Sequence, residues 1–227
     1  MPVVAGAMLA AVLLPVSAAA AATPSSPTVV ALWHMDEQPG DTVMVDATGS
    51  GHDGAIRNVT LGVPGDIGTA YSFDASTSIV RVPSSDDLNP GTQPLQISAH
   101  IRVPANLASG DYNVIQKGIA TATGGAYKLE IYAKIGKKFG HPDCAFNSAV
   151  GKNRVYGQTS IADGKWHVVE CHLTDTQAWV TIDGNDGPKS ARVVGSIANT
   201  SDLTVGGKTN NTHYFNGDLD EVSITVG

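Results

Sequence analysis

The loop Asp46-Ala-Thr-Gly-Ser-Gly-His-Asp-Gly54 carries the densest set of groups able to do chemistry. Oxygen side chains at Asp46, Thr48 and Ser50, followed by Gly51, copy the 1, 3, 5, Gly-6 spacing with which an EF-hand loop holds a hard cation. The bidentate Glu required at the twelfth position is missing, because Arg57 stands there. A cation would therefore need oxygen ligands from elsewhere, and the alternative is an ordinary Gly/Asx turn with solvated acids. The same loop spells G-x-G-x-x-G from Gly49 to Gly54. It opens no helix in a βαβ unit, so its amides have no dipole to offer a pyrophosphate and the match is coincidental.

Glycosidic bond cleavage needs two carboxyl groups flanking the scissile bond. The chain has the glutamates Glu37, Glu130, Glu170 and Glu221, none in an E-x-D-x-E pattern, and neither Glu130 nor Glu170 has an acid two residues away. Asp218, Asp220 and Glu221 cluster near the chain end. Catalysis would thus require acids joined only by the fold. The 7 histidines are scattered without H-x-x-x-H or H-E-x-x-H spacing, which leaves no metal or base motif. Nucleophile-elbow and P-loop patterns are absent as well. For saccharide stacking, Trp33, Trp166 and Trp179 lie inside strand-like runs and are expected in the core. Tyr112, Tyr127, Tyr156, His213 and Tyr214 sit at run edges or in loops and are the better rim candidates. The stretch 134–143, KIGKKFGHPD, is a small basic-aromatic patch: an acidic glycan could meet it, or it is a solvated hairpin tip.

These groups must be positioned by strands. The runs VVALWHM, TVMVD, AYSFD, SIVRVP, LQISAHIRVP, NVIQKG, AYKLEIYAKI, CAFNS, WHVVECHL, AWVTIDG, DLTVGG and DLDEVSITV are separated by turn signals such as GSG, NPG, TGG and GND. Many alternate: Leu129, Ile131, Ala133 and Ile135 share a face opposite Lys128, Glu130, Tyr132 and Lys134, and Ile97, Ala99, Ile101 and Val103 behave likewise. In the hairpin stretch DGKWHVVECHLTDTQAWVTIDG, Val169, Cys171 and Leu173 oppose Trp166, Val168, Glu170 and His172. No amphipathic helical window appears, and at most a helical turn is expected near SSDDLN. This predicts an all-β, two-sheet antiparallel sandwich or jelly roll. With 227 residues, 25 Gly, 12 Pro and a charged fraction of only 15%, one such domain accounts for the chain.

The net charge of −7 argues against nucleic acid and against an anionic membrane surface as partners. Residues 1–22 are uncharged, Ala-rich and end in small residues, which reads as a secretory signal peptide. Their n-region lacks Lys or Arg, and their length grazes that of a membrane anchor, although Pro15 interrupts them. Residues 23–28 then form a flexible lead and 29–227 the domain, secreted and free of the membrane once the signal is cleaved. In an exported protein the two cysteines, Cys144 and Cys171, are expected to form a disulfide, here between neighbouring strands.

Six phrases in order carry a family resemblance: WHMDE with DATGSGHDG, GTAYSFDASTSIVRVP, QISAHIRVP, DGKWHVVECHL with TIDG, DLTVGGK and FNGDLDEVSI. Over about residues 29–226 the chain resembles the laminin-G-like, concanavalin A-like jelly-roll family. The resemblance implies two face-to-face antiparallel sheets with the first and last strands adjacent. It also implies a structural calcium, carried over onto Asp46, Asp53 or the backbone beside it, Asp220 and, less directly, Asp36. The expected function is a secreted, non-catalytic module that binds a carbohydrate or an extracellular protein. The alternatives are a glycan-cleaving hydrolase or lyase with atypical acids and an adhesion or assembly module, since fold alone does not decide among them.

Overall fold

The computed structural model describes residues 1–3, 26–134 and 138–227. Most of the expected signal peptide and half of the lead therefore lie outside the described residues, as do residues 135–137 of the 134–143 stretch. In chain order the strands are β1 (Thr28–Trp33), β2 (Val43–Met44), β3 (Gly54–Arg57), β4 (Thr60–Pro64), β5 (Thr69–Asp74), β6 (Ile79–Val82), β7 (Leu95–Arg102) and β8 (Gly110–Lys117). They continue as β9 (Ala126–Ala133), β10 (His141–Asn147), β11 (Lys152–Tyr156), β12 (Trp166–Leu173), β13 (Ala178–Ile182), β14 (Asn185–Asp186), β15 (Leu203–Val205) and β16 (Asn216–Val226). The segment near SSDDLN is a turn, closed by the Asn89 amide donating to the Asp86 carbonyl at 3.0 Å.

Two antiparallel eight-stranded sheets make a sandwich. One, here sheet A, runs β14-β13-β12-β7-β16-β5-β4 with β1 also on β16; the other, sheet B, runs β11-β10-β9-β8-β15-β6-β3-β2. The pairing of β1 with β16, from Thr28 opposite Val226 to Trp33 opposite Val222, joins the two ends of the domain. The inner faces follow the alternation in the sequence. Leu95, Ile97, Ala99 and Ile101 of β7, Leu129, Ile131 and Ala133 of β9, and Val169, Cys171 and Leu173 of β12 are all buried. Burying one such side chain stabilises by roughly 1.5–3 kcal/mol, so the period-two pattern suffices to choose the face.

Three expectations are corrected. Cys144 and Cys171 do form a disulfide, with Cα atoms 5.7 Å apart, but they do not lie on neighbouring strands. Cys144 is on β10 of sheet B and Cys171 on β12 of sheet A, so the bridge crosses the core between sheets. Among the tryptophans only Trp33 is fully buried, its indole N–H donating to the His52 carbonyl at 2.8 Å. Trp166 and Trp179 point outward from sheet A because each is out of phase with the inner-face residues of its strand, Val169, Cys171 and Leu173 in β12 and Ala178 and Val180 in β13. Arg102 lies 4.8 Å over the Trp166 ring, while His172 stacks on Trp179 at 4.5 Å with Lys189 4.2 Å from the ring centroid. Tyr112 and Tyr127, by contrast, belong to the core, the Tyr127 hydroxyl donating to the Leu88 carbonyl at 2.9 Å.

The DGKWH hairpin is framework. His167 is held between Asp183 at 2.8 Å and Asp163 at 3.1 Å, one carboxylate from each flanking turn. Partial burial opposes charge on the ring, but hydrogen bonds and charge from Asp183 and Asp163 outweigh it and raise its pKa above the ordinary value.

Candidate functional site

The acids first expected to hold a cation are hydrogen-bonded turn residues. Asp46, following β2, accepts from the Leu32, Thr48 and His52 amides and from the Thr48 hydroxyl, and its own N–H donates to Asp53 at 2.8 Å. Burial alone would raise its pKa; these donors outweigh it and hold the carboxyl below the usual range. Asp220 and Asp36 are brought together on one turn, at 65–69. Asp220 accepts from the Asp66 and Ile67 amides, each at 2.9 Å, and Asp36 from the Thr69 amide at 2.8 Å and the Thr69 hydroxyl at 3.0 Å. Burial nevertheless leaves the Asp220 carboxyl raised. Asp46 and Asp53 thus serve one turn, Asp36 and Asp220 another. Among the described residues no three His, Cys, Asp or Glu side chains gather to hold a metal ion. Split between two turns, with oxygens already accepting from amides of those turns, this donor set does not fit a calcium shell. Adding calcium to chelator-stripped protein is expected to move the thermal midpoint by less than about 1 °C, since an ion that does not bind the native state cannot stabilise it. A calorimetric scan with and without calcium checks this.

A denser cluster of charged and polar side chains lies on the outer face of sheet B, across β8 to β11. Register lines up two cross-strand rows there. Asn113, Glu130, Asp143 and Tyr156 form one, and Gln116, Lys128, Ala145 and Arg154 form the next. A β-bulge in β8 between Asn113 and Ile115 lets both Asn113 and Gln116 face outward although they are three residues apart. Glu130 and Asp143, 13 apart in sequence, are directly opposite, which sets their Cβ atoms about 4.5–5.5 Å apart. Arg154 straddles them. Its Nε donates to both Asp143 oxygens, at 2.9 and 2.7 Å, and an Nη to Glu130 at 2.9 Å. Lys128 closes on the other Glu130 oxygen. Burial, opposed by Arg154 and reinforced by the Glu130 charge, lifts the Asp143 carboxyl to about 7. Tyr132 and Tyr156 meet edge to face at 5.9 Å beside this cluster. Of the 134–143 patch, Lys134 pairs with Asp111 at 3.3 Å and Lys138 lies 4.6 Å over the Tyr156 ring.

A cleft of about 450 Å³ opens beside the second row, floored by Lys128, Ala145, Asn147 and Arg154. The β15–β16 loop walls it with Lys208 and His213, and the segment after β8 with Ile119 to Thr121. The loop is pinned in place. The Asn113 amide donates to the His213 carbonyl at 2.9 Å, the Asn113 side chain to the Gly207 carbonyl at 3.1 Å, and Arg81 to Thr209 and Asn211 at 3.0 and 2.8 Å. Asn211 and His213 adopt φ of 58° and 52°, a left-handed conformation that Asn and His tolerate better than most residues. Gly206 is required: a Cβ there would meet the Phe73 ring at 2.0 Å. Burial, then the neighbouring Lys128 charge, press the Lys208 pKa down, and burial with Lys208 does the same to His213. Buried in the two rows, Asn113 Oδ1 and Gln116 Oε1 have no hydrogen-bond partner.

A model of the concanavalin A-like lectin/glucanases superfamily, of the laminin-G type, matches residues 74–225. The chain belongs to that superfamily. Its fold likeness extends to domain 4 of AbnA, an extracellular GH43 arabinanase of Geobacillus stearothermophilus whose structure contains arabinotriose. The TM-score is 0.67 at 17% identity, over 89% of this chain and 94% of that one. The LG4-5 domains of the mouse laminin alpha1 chain align with TM-score 0.54 and 20% identity over 71% of this chain and 43% of that one. The ligand binding domain of botulinum neurotoxin serotype D, in complex with N-acetylneuraminic acid, gives 0.63 and 13% over 86% and 47%. The chain thus spans nearly all of the arabinanase domain and less than half of the other two. No match is found among curated proteins.

In this superfamily member the phrases that carried the resemblance are structural. Glu37 of WHMDE accepts from the Tyr71 hydroxyl at 2.5 Å and the Val45 amide at 2.7 Å, Asp74 of SFDASTS caps the 76–78 amides, and Glu221 pairs with His34. Of the sequence candidates, His213 and the core residue Tyr127 line the cleft, and Tyr156 and Lys138 lie beside the Glu130–Asp143–Arg154 cluster. Glu130, Asp143 and Arg154 were missed as a cluster because their proximity is a matter of register. The outward parity of Glu130 was the available signal. Folding the hairpin 126–147 about its Gly-containing tip would have set Glu130 against Asp143.

Proposed function

We propose that this chain is an exported, non-catalytic carbohydrate-binding module, and that its ligand lies across the outer face of sheet B in the cleft beside the 208–213 loop. One observation carries this reading: a preformed cleft of about 450 Å³ in which the polar side chains of Gln116, Lys128, Asn147, Arg154 and Lys208 converge on a floor that includes Ala145. A few convergent polar groups on a partly apolar floor are what orient a saccharide, whose hydroxyls both donate and accept. The arabinotriose bound by the arabinanase domain supports the class of ligand. Export is supported by the character of residues 1–22 and by the core disulfide, a bond of oxidising compartments.

The opposed Glu130–Asp143 pair is the single feature favouring glycan cleavage, because paired carboxyls with one raised pKa are the usual machinery. Their engagement argues against it. Asp143 is 0% exposed and both acids are tied by Arg154, so neither carboxyl is free to meet a glycosidic oxygen.

A glycan array tests the reading. Wild-type protein is expected to bind a subset of oligosaccharides without releasing new reducing or unsaturated ends. Ala145→Trp, which fills the cleft floor, is expected to abolish that binding, with an unchanged far-ultraviolet spectrum showing that the sandwich persists. Retention of binding in this folded variant would move the site elsewhere, and release of new ends would restore the enzymatic reading.

A further inference from the structure

The cleft is basic in an acidic protein. Although the chain carries a net charge of −7, the cleft is lined by Lys128, Lys152, Arg154, Lys208 and His213 and by no Asp or Glu. Two of the cations are already compensated from beneath, Lys128 by Glu130 and Arg154 by Glu130 and Asp143. The ammonium groups of Lys208 and Lys152 make no ion pair or hydrogen bond among the described residues. Lys208 is also half-buried, on a loop whose path is fixed by the bonds to Asn113 and Arg81. A desolvated ammonium without a counter-ion is unfavourable, and a bound anion relieves it. Elsewhere on the molecule Arg102 is answered by Asp218, Lys134 by Asp111, Lys165 by Asp163 and Lys189 by Asp186, while Arg57 and Arg192, without an acid partner, are exposed to water where Lys208 is half-buried.

We propose that the cleft selects saccharides bearing an anionic group, a carboxylate or a sulfate, with Lys208 as its main contact and Lys152 as a second. This rests on the reading of the cleft as a saccharide site and adds the chemical class of its ligand. The anion centre lies on the pinned 208–213 loop and the start of β11, away from the 134–143 patch, where Lys134 is occupied by Asp111. Uncharged ring hydroxyls then fall to polar side chains of the sheet such as Asn147, so charge and hydroxyl recognition are divided between loop and sheet.

Isothermal titration of the intact protein with three probes tests it: a galacturonate tetrasaccharide, a sulfated chondroitin tetrasaccharide and the neutral cellotetraose. At least one anionic probe is expected to bind about tenfold or more tightly than the neutral one, a margin that shrinks as salt rises from about 50 to about 300 mM. Lys208→Met keeps the packed stem and removes the charge. It is expected to erase the margin while leaving any neutral affinity within about twofold, whereas the exposed, sheet A-side Lys165→Met changes neither. Which anionic probe binds separates carboxylate from sulfate recognition. Equal affinity for neutral and anionic probes overturns the proposal while leaving the saccharide site standing. So does a Lys208→Met loss that is the same for both. Failure of every saccharide to bind overturns the site itself along with it.

Discussion

Arg154→Met is expected to destabilise the domain by about 3–5 kcal/mol, lowering the thermal midpoint by about 6–20 °C. Arg154 is the common partner of two acids that water does not reach, Glu130 with its side chain 2% exposed and Asp143 at 0%. Removing the cation leaves both carboxyls buried and opposed, with only Lys128 remaining on Glu130. The penalty depends on pH in a defined direction. Folded Asp143 titrates at about 7, above its ordinary value near 3.8. Between those values the native state holds a proton that the unfolded chain has released, so stability falls as pH rises through the window. Without Arg154 the Asp143 carboxyl shifts further upward, and the deficit of the variant is expected to be larger at about pH 8 than at about pH 5. Chemical denaturation at the two pH values measures it. Adding Glu130→Gln and Asp143→Asn to Arg154→Met is expected to recover at least about half of the loss, because the uncompensated charges go with them. A single variant as stable as wild type would mean that the triad is not held as described.

The second large effect is the disulfide. Replacing both Cys144 and Cys171 by Ala is expected to cost about 3–4 kcal/mol, the chain-entropy value for a cross-link spanning 27 residues. Because both cysteines are fully buried between the sheets, reductant alone should act slowly on the native protein and quickly once denaturant exposes the bridge. Denaturant midpoints with and without reductant are the measurement. A shift equivalent to less than about 1 kcal/mol would show that the sandwich holds β10 against β12 without the bridge.

Much of the fold was legible because burial repeats with period two. Runs such as LQISAHIR and KLEIYA state their inner face outright, and their buried apolar residues are the ones alternation selects, Glu130 being buried on the outer face instead. Four strands were not legible: β3, β4, β11 and β14 are short and rich in Gly, Asn, Asp or Arg, and they owe their state to the neighbours they pair with. The omission of β11 mattered most, since it contributes Arg154 and Tyr156. The two outward tryptophans were misjudged on size, when phase was the better guide. Their apolar rings are covered by Arg102, His172 and Lys189 instead of by core. The site was less legible than the fold. Motif spacing pointed to Asp46, Asp53, Asp36 and Asp220, which look chemical because turns need acceptors for their amides as much as cations need ligands. The Glu130–Asp143–Arg154 cluster is assembled across three strands, and linear spacing is blind to such a row until register is known.

The central claim, a saccharide site on the outer face of sheet B, is tested most directly by mapping amide chemical shifts during titration with the oligosaccharides that bind on the array. The account predicts perturbations at Gln116, Lys128, Ala145, Asn147, Arg154 and Lys208, the residues that line the cleft. Perturbations confined to the Trp166–Trp179 face of sheet A, or to the 46–54 and 65–69 turns, would contradict it.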